Sequence, residues 1–135
     1  RVLPLELADR RFYHLDTCFA PLGNGAVMIT PRAFSSQGLA TIHGHFKTVL
    51  EVDGEENATL PCNLARFNNQ VVVSKGLSSH LRQSIEGLGL VVNQVDTSEI
   101  QKSGGSVKCL TLVLDEGPSG ATVETAAGET ARAAA

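Results

Sequence analysis

Strand, turn, strand, helix, strand: this order appears twice in the sequence, the second time about 43 residues after the first. No other feature narrows the available folds as much. Leu15–Leu22 reads as a strand, Gly23-Asn24-Gly25 as a turn and Ala26–Thr30 as a second strand. From Ser35 to Phe46 the residues Leu39, Ile42 and Phe46 fall at spacings of three and four, which marks one face of a helix. Thr48–Val52 is β-branched and apolar and closes the unit at Asp53-Gly54. The second pass runs Asn63–Phe67, a two-residue turn at Asn68-Asn69, and Val71-Val72-Val73. A helix capped by Ser78 or Ser79 follows, with Leu81, Ile85 and Leu88 on one side. Leu90–Val95 ends this unit at Asp96. Val52-Asp53 and Val95-Asp96 lie 43 apart, and Val27 and Val71 lie 44 apart.

The expected fold class is therefore α/β, with two ββαβ units and a lone terminal strand at Cys109–Leu114. The alternative is an ordinary α/β sandwich in which the period is coincidence. Units of this length stack or ring up, because one alone cannot cover its own apolar face. Two and a strand are too few for a ring, so the expectation is a missing half or self-association. The chain opens at Arg1 without an initiator Met, which fits a piece of something longer. Residues 1–115 form the expected domain, and 116–135 read as an Ala-rich disordered tail with little to bury.

Composition excludes several functions. No run approaches 18 uncharged apolar residues, so no membrane span is expected. A net charge of -3, with five Phe, one Tyr and no Trp, offers neither a basic stripe nor stacking platforms for nucleic acid. Cys18, Cys62 and Cys109 are an odd set with no C-x-x-C pair, which suits free thiols in a reducing, cytoplasmic setting. His43-Gly44-His45 would place its two imidazoles on different helix faces, so no metal site is expected. His80 reads as solvated, as do Glu55 and Glu56.

Two segments could carry chemistry. In Phe12-Tyr13-His14-Leu15-Asp16-Thr17 a strand would set His14 beside Asp16 on one face, which suits acid–base work; a half-buried packing pair is the plainer reading. In Ser103-Gly104-Gly105-Ser106-Val107-Lys108-Cys109 two glycines permit close approach to a ligand, and a cysteine follows as a possible nucleophile. Taken singly, Cys109 reads more readily as core, the reading that also fits Cys18 and Cys62.

Together, the FYHLDTCFAPL segment and the TSEIQKSGGSVKCLTLVL segment, with Pro61-Cys62-Asn63 and Gly87-Leu88-Gly89 between them, resemble the guanidine-modifying enzyme superfamily. Its members include dimethylarginine dimethylaminohydrolases, arginine deiminases and amidinotransferases, and the resemblance is to their C-terminal half. It implies a partial, pentein-like αβ-propeller with its site in a central channel. It implies Cys109 as the nucleophile at a guanidinium carbon and His14 as the group that protonates the leaving amine and then activates water. Asp16 would bind the guanidinium, Gly104 and Gly105 would let the loop pass close to substrate, and no cofactor is implied. The implied partner is a small guanidino substrate and the implied activity a dimethylargininase-like hydrolysis. The alternatives are amidino transfer, a catalytically silent propeller-type binding module, or an inactive fragment. The acidic partner and the arginine for the substrate carboxylate have no match in this sequence.

Overall fold

In the computed structural model, residues 2–112 are described. The expected repeat is present as two three-stranded sheets of the same topology. In the first unit β1 (Phe19–Gly23) pairs antiparallel with β2 (Ala26–Ile29), α1 (Ser36–His45) crosses over, and β3 (Thr48–Glu51) pairs parallel with β2. In the second, β4 (Ala65–Phe67), β5 (Gln70–Ser74), α2 (Ser79–Glu86) and β6 (Val91–Val95) repeat that plan.

Local chemistry explains these elements. Ser35 caps α1 by accepting from the Gly38 N–H at 3.2 Å, and Ser78 caps α2 through the Leu81 N–H at 3.1 Å. The first hairpin turns through Gly23, Asn24 and Gly25, all at positive φ, a conformation costly for most side chains. Along α1 the apolar stripe points inward, with Ile42 buried and Leu39 and Phe46 packed beside it. On α2, Leu81 and Ile85 do the same.

Strand alternation assigns the faces. On sheet 1, Val27, Ile29 and Phe19 face α1 and the leading segment, joining Phe12, Cys18, Phe34 and Ile42 in one cluster. The opposite face carries Ala20, Met28, Leu50 and Val52, which join Val71, Val73, Leu81, Ile85 and Val92 in a second cluster. That cluster welds the units together, with α2 at the seam. A cavity of about 350 Å³ remains there, between Val49, Leu50 and Asp53 on one side and His80 and Leu81 on the other. Among the described residues, one end of the other face of sheet 2 is open: Phe67 and Val91 flank Gln70 across the strands, 51% and 45% exposed.

Three expectations change. Leu15–Leu22 is not one strand. Leu15–Thr17 is a 3-10 turn, because the Thr17 N–H and hydroxyl both bond the His14 carbonyl and the Cys18 N–H bonds that of Leu15. The lone strand at Cys109–Leu114 does not begin where expected: Lys108–Leu110 is also a 3-10 turn, tied by Lys108 N–H to the Asn63 carbonyl, and residues 113–114 lie outside the described residues. A short helix, α3 (Ser98–Gln101), follows β6, where no element is expected from the sequence. The tail at 116–135 also lies outside the described residues.

Candidate active site

The two 3-10 turns bring the two candidate segments together. Tyr13 donates its hydroxyl to the Gly104 carbonyl at 3.3 Å, and its ring packs on that of His14, centroids 4.6 Å apart. Three residues further on, the Asp16 carbonyl accepts from Asn63 Nδ2 at 3.3 Å, and the same amide donates to Cys109 Sγ at 3.3 Å. The His14–Asp16 turn and the Cys109 loop are thus linked at both ends.

The anticipated His14–Asp16 pair does not form. His14 is the extended residue that caps the 3-10 turn and Asp16 lies inside it, so the strand alternation that would put both on one face is lost, and these side chains make no ion pair. The His14 ring is exposed and makes no hydrogen bond among the described residues. Asp16 is half-buried, and its Oδ1 is buried without a hydrogen-bond partner. A buried, unsatisfied carboxylate oxygen is costly, and a cationic donor would remove that cost. Asp16 borders a cavity of about 270 Å³ with Phe19, Pro21, Leu64, Arg66 and Lys108, between the leading strands β1 and β4.

The thiols separate clearly. Cys109 is exposed, whereas Cys18 and Cys62 are buried. Burial pushes both buried thiols up to about 12; the Asp16 charge adds to this at Cys18, and a Thr30 hydrogen bond opposes it at Cys62. Both glycines of the loop are explained by contacts within the chain. A Cβ on Gly104, already at φ +81°, would sit 2.8 Å from the Tyr13 hydroxyl oxygen. One on Gly105 would come within 3.0 Å of Cys109 Cβ. Gly105 therefore lets the cysteine fold back over the loop.

His43 Nε2 lies 3.1 Å from Glu51 Oε1 and His45 Nδ1 lies 2.8 Å from the Thr41 carbonyl, so neither ring turns toward the other's partner. No group of three or more His, Cys, Asp or Glu among the described residues is placed to hold a metal. No helix there is long and apolar enough to cross a membrane.

Sequence reasoning passed over Asn63. The paired positions Pro21–Val27 and Arg66–Val71 correspond between units, and three residues before Pro21 and Arg66 stand Cys18 and Asn63. An amide where the other repeat has a buried cysteine was the available signal.

Two sheets of ββαβ plan, with an exposed thiol and a buried unpaired carboxylate oxygen beside their leading strands, define a partial αβ-propeller with a cysteine-bearing loop. No protein-family model matches the chain. It is 38% identical over 117 residues to the bifunctional arginine dihydrolase/ornithine cyclodeaminase AgrE of Nostoc sp., covering 85% of this chain and 16% of that protein. AgrE with one cysteine replaced by alanine, in complex with L-arginine, superposes with a TM-score of 0.77, at 37% identity over 85% of this chain and 18% of that one. The dimethylarginine dimethylaminohydrolase of Mycobacterium tuberculosis is 36% identical over 117 residues, covering 84% of this chain and 37% of it. The N-terminal domain of ArgZ, a cyanobacterial arginine dihydrolase bound to product, superposes with a TM-score of 0.78, at 32% identity over 83% of this chain and 41% of that one. The chain spans less than half the length of each. It belongs to the guanidine-modifying superfamily and has its pentein fold.

Proposed function

We propose that this chain carries the nucleophile-bearing part of a hydrolase that cleaves a guanidinium C–N bond of arginine or a methylated arginine. The observation that carries the reading is the link through Asn63, which puts the one exposed thiol beside the turn that holds Asp16. The family supplies the chemistry. The Cys109 thiolate forms a C–S bond at the guanidinium carbon, and His14 gives the departing ammonia or alkylamine its proton. His14 then takes a proton from water, whose oxygen attacks the same carbon. The C–S bond breaks, the thiolate returns, and a urea-type product such as citrulline leaves. The Asp16 carboxylate, at the edge of the cavity between β1 and β4, is the group that the resemblance assigns to two guanidinium N–H donors, which would also align the flat cation. Three free thiols suit a reducing, cytoplasmic compartment.

An acidic partner for the His14 ring is not among the described residues. This chain alone should therefore release citrulline from arginine or dimethylarginine only in traces, far below about 1 per second. Ligand protection tests the site without turnover. Arginine should slow iodoacetamide labelling of Cys109, norvaline should not, and Asp16→Asn should abolish the protection. Equal protection by norvaline, or none by arginine, would overturn the guanidino substrate.

A further inference from the structure

We propose that Asn63 holds the Cys109 sulfur and stabilises its thiolate, which makes it a further site residue; this rests on the nucleophile reading above. Asn63 is fully buried, at 0% exposure, and its side chain uses its whole hydrogen-bonding capacity. Oδ1 accepts from the Ser106 N–H at 2.9 Å and the Cys109 N–H at 3.3 Å. Nδ2 donates to the Asp16 carbonyl and to Cys109 Sγ, both at 3.3 Å. These partners also fix which way the amide points. Two backbone N–H groups need an oxygen at one end, and the Asp16 carbonyl needs a donor at the other. The remaining N–H is thereby aimed at sulfur.

A thiol and a thiolate respond differently to such a donor. A hydrogen bond to the charged form favours that form, and a buried amide held by three other bonds needs no reorganisation to supply it. The same residue fixes the backbone beneath: the Asn63 carbonyl accepts from the Lys108 N–H at 3.0 Å, so Asn63 holds the N–H groups of Ser106, Lys108 and Cys109 together. A buried amide that served only to brace the loop would have no need to place a donor on sulfur.

Asn63→Asp separates bracing from stabilisation. It keeps an oxygen for the Ser106 and Cys109 N–H groups and replaces the donor facing sulfur with an acceptor. Iodoacetamide labelling of Cys109 at pH 7 should slow about tenfold or more, and its pH profile should move to the alkaline side. Cys18 and Cys62 should stay protected. A pH profile unchanged from that of the parent, in folded protein, overturns the proposal. If the two buried thiols become labelled, the variant has not folded, and the unmodified protein answers the question. There the Asn63 side-chain amide signals, followed by nitrogen-15 NMR, should shift over the pH range in which Cys109 labelling rises, and Cys109→Ser should abolish that shift. Amide signals indifferent to Cys109 also overturn the proposal. If Cys109 labels more slowly than Cys18 or Cys62 in the parent chain, the nucleophile reading fails first, and the role of Asn63 falls with it.

Discussion

The two ββαβ units share strand order and capping serines, yet among the described residues only the first is covered along the whole of both faces. In the first, every residue of β2 is buried, because α1 lies on one face of the sheet and the second unit on the other. In the second, Val71 and Val73 of β5 are buried against α2 while Val72 between them is only half-buried: among the described residues the far face is covered at Ala65 and at Ser74, which bonds the Thr59 carbonyl, and left open toward Phe67 and Val91. The repeated pattern encodes a sheet and its crossover helix. Whether the second face is covered depends on what stands next to it. The units also differ in chemistry at one shared position: Cys18 is a shielded thiol in the first, and Asn63 is a hydrogen-bonding hub in the second.

The largest expected contrast lies among the cysteines. Near pH 7 iodoacetamide should label Cys109 at least about a hundredfold faster than Cys18 or Cys62, because those two thiols are buried and held up to about 12. Peptide mapping after brief labelling reads all three, and early labelling of Cys18 would mean that the first unit is not closed. Next come core truncations. Met28→Ala, at 0% exposure, should cost about 2–5 kcal/mol in urea unfolding, and Val72→Ala at the matching place on the open face about 1 kcal/mol or less. Val27→Ala and Val71→Ala, both facing their own helix, should cost similar amounts. Equal losses at Met28 and Val72 would show that the open face is covered in solution.

Association is the third measure of the same difference. The Phe67–Val91 face leaves large apolar groups in water next to the edge strands β4 and β6, so light scattering should show a dimer, larger species or aggregation. Val91→Lys should reduce it. A monodisperse parent monomer in dilute buffer would break the comparison. The smallest effect belongs to the first unit's leading segment, where hydrogen bonds from Arg11 hold the Asp9 carboxyl down at about 2. A depressed carboxylate favours the folded state above its ordinary value of 3.8, and that benefit fades as pH falls toward 2. Arg11→Ala should return the Asp9 midpoint, followed by NMR, to the ordinary carboxylate range.

Much of this architecture is written locally. Hairpin turns, serine caps, apolar helix faces and β-branched strands act over a few residues, so the doubled ββαβ plan, the turn at Asn68-Asn69 and the cap at Ser78 were all legible in the sequence. Cys109, His14 and Asp16 were legible as a resemblance between separated motifs. Their arrangement was not. Thr17 diverts the chain into a turn and removes the expected His14–Asp16 pairing, and Asn63, 46 residues from Cys109, supplies the loop's hydrogen bonds in place of a strand partner. Periodicity cannot express such choices, because each backbone group is competing for partners that become available only once the two units have packed. The sequence by itself determined the doubled ββαβ plan with its turns and caps, and the resemblance it carries singled out one thiol. Tertiary structure decided which face stays open, which glycine makes room for Tyr13 and which for Cys109, and which buried amide reaches the sulfur, because those outcomes turn on the meeting of residues far apart in the chain.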